Sequence, residues 1–431
     1  MRDILITLIV FSSLPFILRN PVNGVLMWVW ISVMNPHTQG WGFATTFPFA
    51  FIIAVATLFS FAISRMPKTL PVSGITFALI GLVLWMNVTT LFAMFPASAY
   101  PQWGKVMKIM LMSVVTMMVI RSREDIQRFM WVLTLSLGYY GVKGGIFTIR
   151  SGGVDRVWGP ESTFIADNNA IALALIMTIP LMRYLQQRST QRWVRHGMTA
   201  MMMLSALAAL GSYSRGALLA IGAMVMFMWM KGRHKMLGGL LIALLTPLTF
   251  LFMPDRWSER MDSINTYQAD ESALGRINAW HMAWNLAKDR FFGGGFEIAE
   301  PLTFFLYAPN PADIHAAHSI YFQALGEHGF IGLGLYLLLL AATWRSASWI
   351  IRHARQQPDL EWAEQLATMT QAAFIGFAVG GAFLSLLYFD VPYYLMAAIV
   401  ATRLLVAQQQ AATTPARMPA LAVRRATAEA S

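Results

Sequence analysis

An all-α, polytopic integral membrane protein is the fold class predicted here, with about 12 transmembrane helices and one large extramembrane loop carrying short helices. Three observations predict it. Of the 431 residues, 57% are hydrophobic and only 12% are charged, about half the charge of a typical soluble chain. The mean hydropathy is +0.53. Apolar runs of about 20 residues, long enough to cross a bilayer as a helix, recur along the chain. The formal charge of +11 would raise nucleic acid in a soluble chain. Here it first asks which side of a membrane the basic residues occupy, and no nucleic-acid partner is expected. There are no cysteines, which excludes disulfides, thiolate metal sites and cysteine nucleophiles.

The elements follow in order. The opening stretch 4–34 is apolar but broken by Pro15 and by Arg19-Asn20-Pro21. It reads as two spans or as two short halves making one net crossing. Its apolar run continues into Trp28-Val29-Trp30 with no small-residue cleavage site, so a cleaved signal peptide is not expected. Continuous spans are predicted at 45–64, 73–94, 102–120, 126–149, 164–184, 197–213, 216–230, 236–253, 318–343, 366–389 and 391–407. They are apolar all round, as in Leu237–Leu245. The strands of a membrane barrel would alternate apolar and polar residues instead.

The chain thus divides into an N-terminal transmembrane bundle (1–253), a large loop (254–317), C-terminal transmembrane helices (318–407) and a tail (408–431). The tail is rich in Ala, Thr, Pro and Arg and reads as disordered. Nineteen of the 32 Lys and Arg fall in one alternating set of short loops and in the tail, among them Arg65, Lys68, Arg121, Arg183, Lys231, Arg345 and Arg403. The positive-inside rule makes that set cytoplasmic. Parity then gives 12 crossings with both ends inside if 4–34 crosses once, and 13 with the N-terminus outside if it crosses twice. The single crossing is the expected layout.

The loop 254–317 falls on the outer side and holds nine acidic residues against five basic ones. Ile277, Trp280, Trp284 and Ala287 form a helical stripe. Gly293-Gly294-Gly295 should end that helix, and Pro301, Pro309 and Pro311 mark irregular chain. A loop of this length in a compact protein is usually functional.

Ionisable residues in or beside spans are costly and are functional candidates. Those that stand out all fall on the outer side. Arg150, Arg156, Glu161, Asp167, Asn168 and Asn169 lie around one turn. Ser212, Ser214 and Arg215 lie in the tight turn Gly211-Ser-Tyr-Ser-Arg-Gly216. Arg276 lies in the loop, and His315 and His318 lie where it returns to the membrane, followed by Glu327 and His328. Arginine suits bidentate phosphate recognition, and a helix N-terminus behind Arg215 would add to an anion site. His318 titrates near neutrality and can take a proton from an attacking hydroxyl. Together they suit transfer of a group from a lipid-borne pyrophosphate to a hydroxyl.

Plainer readings stand beside these. Arg215 can end a span and snorkel to headgroups, and Arg150 and Arg156 can do the same. Asp167-Asn168-Asn169 can cap a helix. His315 and His318, three residues apart, could share a helix face and hold a metal, but no third ligand is signalled, and no metal or cofactor is expected. Glu327 within a span reads as structural.

Several motifs taken together resemble the O-antigen ligase family of bacterial inner membranes. They are Ser212-Tyr-Ser-Arg-Gly216, Gly275-Arg276…Trp280 followed by Gly293-Gly-Gly295, and His318-Ser319 followed by Glu327-His-Gly329 and Gly332. The resemblance covers roughly 150–345. In the N-terminal half, the opening with Pro21 and Asn35-Pro36-His37 and the stretch Gly138–Gly145 are similar to a subgroup of O-glycosylation ligases associated with exosortase systems.

The resemblance implies a metal-independent, inverting glycosyltransferase of the inner membrane. Its active site would face the periplasm and its C-terminus the cytoplasm. The donor would be a polysaccharide on undecaprenyl pyrophosphate. The acceptor would be a lipid A-core sugar, another glycan or a protein. His318 matches the family's catalytic histidine, and Arg215 and Arg276 match its pyrophosphate-binding arginines. Arg150, Arg156, Asn168, Ser214 and Ser319 are further candidates for substrate contact. Ser319 stands where the family often has Asn. A polysaccharide polymerase using the same donor is the alternative. A lipid-linked sugar transporter would show internal repeats and midplane ionisable residues; no repeat is seen.

Overall fold

The computed structural model describes residues 1–232, 235–255, 257, 271–355 and 357–413. Among these residues there are helices and no strands. In chain order they are α1 (Arg2–Arg19), α2 (Pro21–Val29), α3 (Phe49–Ile63), α4 (Gly74–Leu91), α5 (Pro96–Val119), α6 (Arg123–Arg150), α7 (Asn168–Arg188), α8 (Arg192–Leu210), α9 (Arg215–Lys231), α10 (Lys235–Phe252), α11 (Glu271–Asp289), α12 (Pro301–Tyr307), α13 (Ile320–Ala354), α14 (Glu361–Gly381) and α15 (Asp390–Thr413). Four of them, α4, α7, α13 and α15, are long and apolar enough to cross a membrane.

Helix starts follow local capping chemistry. The side chains of Ser73, Ser122 and Ser214 accept from the amides of Thr76, Asp125 and Ala217. Asp167 accepts from Asn169 and Ala170. Each takes up amides that the first turn leaves without a helical partner.

The apolar faces meet in one large core that draws on helices from α1 to α15. The predicted N-terminal and C-terminal bundles are therefore one packed body. α7 is its centre: 83% of its apolar window is buried, against 44% for α4. Small residues let the helices approach closely. At Gly145 on α6, an added Cβ would lie 2.4 Å from the Leu204 carbonyl oxygen of α8, so only glycine fits.

The N-terminal segment corrects one expectation. The Ser60 hydroxyl of α3 donates to the Leu18 carbonyl at the end of α1. At the other end, the Ala44 amide donates to the Asp3 carboxylate. α1 therefore runs alongside α3 in the same direction, with α2 returning between them. Gly24 of α2 packs against Thr57 of α3. The break is local: Asn20 is extended, and its side chain caps the Val22 amide ahead of Pro21. The stretch 4–34 is an antiparallel hairpin, and its two ends lie at the same end of the bundle. A single net crossing does not fit this path.

Two further corrections concern the loop and the tail. On α11 the buried apolar side chains are Ala279, Met282, Ala283, Leu286 and Ala287, so of the predicted stripe only Ala287 is buried. α11 is covered on its inner side by α12 and by α13, and Ala279, Met282 and Leu286 join Ile298 and Phe304 in a small core of the loop itself. The two tryptophans lie beside that face and pack on α13: Trp280 stacks on Phe322 at 5.0 Å, and Trp284 meets Phe330 edge-on at 5.4 Å. In the tail, α15 continues through 408–413 as helix; residues 414–431, and the loop's Arg256 and 258–270, lie outside the described residues.

α13 is broken at Gly329, where φ is +67° and ψ −173°. Such a conformation is open only to glycine at little cost. The carbonyls released by the break are taken up by the glycine run: Gly294 N donates to Gly326 O and Gly295 N to Glu327 O, each at 2.9 Å. Trp85 of α4 donates to His328 O at 2.8 Å. The glycine run follows the end of α11 at Asp289 and also caps a gap in another helix.

Beside that gap lies a buried polar chain. Thr89 Oγ1 is 2.7 Å from His328 Nδ1, and His328 Nε2 is 2.6 Å from the Tyr388 hydroxyl. Tyr388 donates to the Glu327 carboxylate, which also accepts from Gln323. The chain ties α4, the first half of α13 and the turn before α15, and gives Glu327 the structural partner its burial demands. Tyr388→Phe removes one of the two side-chain donors to the carboxyl, a loss of about 1–3 kcal/mol. A clear drop in thermal midpoint in detergent is expected; an unchanged midpoint would show that the bond carries no stability.

Candidate functional site

The site is assembled around the N-terminus of α13. Ser319 occupies the N-cap position of that helix, is buried and makes no capping bond with its side chain, and His318 precedes it in the left-handed region with φ of +41°. A non-glycine residue there is strained by on the order of 1–3 kcal/mol and must be held by its surroundings. Two side chains of α11 do the holding. Trp280 Nε1 donates to the Ala317 carbonyl at 2.7 Å. Asn278 binds the returning strand of the loop: its side chain donates to Asn310 O and Asp313 O and accepts from Asn310 N. Trp280 stands out in the sequence only as part of a helical stripe and a motif, and Asn278 does not stand out. The only signal of this bracing role is that both follow Arg276 on the same helix.

His315 is paired with a residue of its own. Its Nε2 lies 2.7 Å from the Asp313 carboxylate, and its ring packs on Gly275. The helix begins only at Ile320, so the two histidines do not share a helix face. Among the described residues, no group of three His, Asp or Glu side chains is placed to hold a metal ion.

His318 itself is half-buried, and among the described residues neither ring nitrogen has a hydrogen-bond partner. Burial pushes its pKa below the ordinary 6.5, and the nearby Arg276 guanidinium pushes the same way. Asp167 opposes them, and His315 adds a smaller lowering effect. The imidazole is therefore neutral at neutral pH, with a lone pair available to accept a proton. Asp167 was read as a helix cap; it does cap α7, and it also brings a carboxylate towards His318. That second role is long-range and leaves no local signal.

The turn carrying Arg215 reaches the same neighbourhood by two routes. Asn168, beside Asp167, donates its side-chain amide to Ser212 O at 2.6 Å. On the other flank, Gly216 packs on Phe383 just past α14, and Gly381 of α14 packs on Ile320, two residues from His318. Arg215 is the first residue of α9, behind the Ser214 cap. Tyr213 holds the turn, donating its hydroxyl to Gly153 O at 2.6 Å, and the Arg156 guanidinium lies 5.6 Å from the Tyr213 ring centre.

The sequence candidates thus separate. His318, Arg276 and the Asp167-Asn168 corner come together, with the Ser212–Arg215 turn bound to that corner. Asn168 and Ser214 are buried and occupied by structural bonds. Arg150 ends α6 exposed, and Arg156 lies over the turn rather than against His318.

A helical body, with four helices fit to cross a membrane and a cluster of arginines and a histidine gathered at one end, defines an integral membrane protein with a polar site at a helix-bundle face. Residues 200–337 match the O-antigen ligase family, and this region carries Ser212–Gly216, Arg276 and His318. The match covers about a third of the chain and supports a likeness of this region to the O-antigen ligase- and polymerase-like membrane glycosyltransferases. Residues 1–190 match a family of unknown function (DUF5935). No curated protein matches the chain.

Proposed function

We propose that the protein transfers a polysaccharide from undecaprenyl pyrophosphate to a hydroxyl acceptor at the periplasmic face of the inner membrane, with inversion and without a metal. The acceptor is a lipid A-core sugar, another glycan or a protein. The observation that carries this reading is the half-buried His318 ring beside Arg276, with no hydrogen-bond partner among the described residues.

In this mechanism His318 accepts the proton of the acceptor hydroxyl as that oxygen attacks the anomeric carbon. The carbon–oxygen bond to the pyrophosphate breaks from the opposite face, and the electron pair leaves with the phosphate. A single displacement inverts the anomeric centre. Arg276 and Arg215 stabilise the charge that develops on the leaving group, and the amides at the start of α9 add to that field. Arg150 and Arg156 stand further out, where a long glycan would pass.

The proposed topology places the basic loops in the cytoplasm. With 4–34 as a hairpin, the crossings come to about 13. Asp3 then lies on the outer side, and Arg19 joins the cytoplasmic set. The loop 254–317 is periplasmic and the end of α15 cytoplasmic.

The pH dependence tests the base. Because the His318 pKa lies below 6.5, the neutral, active form persists as pH falls through 6.5 and is lost only further down. Transfer should fall on an acid limb whose midpoint lies below 6.5. An acid limb centred above 6.5 would show that another group controls the step. A polymerase using the same donor is separated by product: it would lengthen a lipid-linked chain, whereas a ligase moves the finished chain to a new acceptor.

A further inference from the structure

A cleft of about 490 Å³ opens between α4 and α13 at the end of α13 remote from His318. Gly74 and Phe77 of α4 form one wall, and Leu335 and Leu338 of α13 the other. Arg345 and Arg403 stand at its mouth. The wall is apolar and faces outward, with Phe77 66% and Leu338 55% exposed.

The mouth carries positive charge alone. Among the described residues, neither guanidinium lies within 4.0 Å of a carboxylate. Arg403 is aimed: its Nη1 donates to Ser346 Oγ at 2.9 Å, and its guanidinium lies 5.0 Å from the Trp349 ring centre. The N-terminus of α4 opens at the same place: Ser73 caps the Thr76 amide, and Gly74, the first residue of the helix, adds no side chain beside it. Two arginines and a helix N-terminus favour a phosphate group. The apolar walls below favour hydrocarbon. Basic pockets between helices on the cytoplasmic side bind anionic headgroups.

We propose that this cleft seats one anionic phospholipid of the cytoplasmic leaflet, its phosphate between Arg345 and Arg403 and an acyl chain along Phe77, Leu335 and Leu338. The sidedness rests on the orientation proposed above. The seat is distinct from the donor site, because it lies at the opposite end of α13.

Native mass spectrometry of the full-length protein in detergent, with phosphatidylglycerol and phosphatidylcholine added in equal amounts, tests it. Wild type should retain phosphatidylglycerol preferentially. Arg345→Gln alters an exposed side chain and should lower that preference about fivefold, the effect of one basic residue at an anionic surface. Leu338→Trp should fill the cleft and reduce retention of both lipids. Equal retention of the two lipids by wild type, or an unchanged preference in Arg345→Gln, would overturn the proposal, as would unchanged retention in Leu338→Trp. No glycan donor is present, so failure here leaves the transfer reading intact, and failure of transfer leaves the lipid measurement interpretable.

Discussion

His318→Ala is expected to abolish transfer while the protein still inserts and folds. A positioned general base contributes on the order of 10²–10⁴ in rate, and among the described residues neither neighbouring histidine is placed to replace this one: His315 is bound to Asp313, and His328 is buried in the chain from Thr89 to Tyr388. Alanine in the left-handed region would also strain the backbone. His318→Asn is therefore the better partner variant, because asparagine tolerates that conformation but is not a base. Both variants should show wild-type melting within a few degrees and should lose transfer together. Transfer at the wild-type rate in either would rule out the assignment.

Arg276→Lys and Arg215→Lys should each lose most activity despite keeping the charge. Lysine is a point charge and does not reproduce the planar, two-pronged contact of a guanidinium with phosphate. Losing a bidentate charge-assisted contact in the transition state costs about 2–4 kcal/mol, or roughly 30- to 1,000-fold in rate. The two positions should differ in one respect. Arg276 also lowers the His318 pKa, so removing its charge with Arg276→Gln should move the acid limb of the pH profile upward. Arg215→Gln should leave that limb in place. Full activity in both lysine variants would remove the pyrophosphate clamp.

The helices were largely legible in the sequence, for simple reasons. An apolar run bounded by a capping residue has few alternatives: Ser73 before 74–91 and Asp167 before 168–188 mark their helices within a few residues of the predicted 73–94 and 164–184. Three features were not legible. The path of 2–34 depends on where Leu18 and Asp3 meet α3, and apolar composition does not distinguish a hairpin from a broken single crossing. The gap at Gly329 lies inside an unbroken apolar run, and its cap comes from glycines more than 30 residues away. The buried face of α11 was misread because the helix packs under α12 and on α13, so its large tryptophans lie at the margin and small Ala279 and Ala283 lie at the contact.

The site divides in the same way. Its titratable residues could be picked out because charge is rare in this chain, so each outer arginine and histidine stands out. Their relative placement could not. Asp167 near His318, and Trp280 and Asn278 bracing the loop that carries it, are tertiary facts joining segments tens to more than a hundred residues apart. Ser319, Ser214 and Asn168 have polar side chains that suited substrate contact on paper, yet all three are buried, and the last two are engaged with backbone groups.

The central claim is that the protein moves a finished glycan from a lipid pyrophosphate to a new hydroxyl using His318. The most direct measurement combines purified protein, an undecaprenyl-pyrophosphate-linked glycan of defined length and an acceptor bearing a lipid A-core sugar, with glycan and protein acceptors in parallel, all in the presence of EDTA. The account predicts that the intact glycan appears on one acceptor with inverted anomeric configuration in wild type and on none with His318→Ala. Lengthening of the lipid-linked chain with no transfer, a retained anomeric configuration, or activity that depends on an added divalent ion would contradict it.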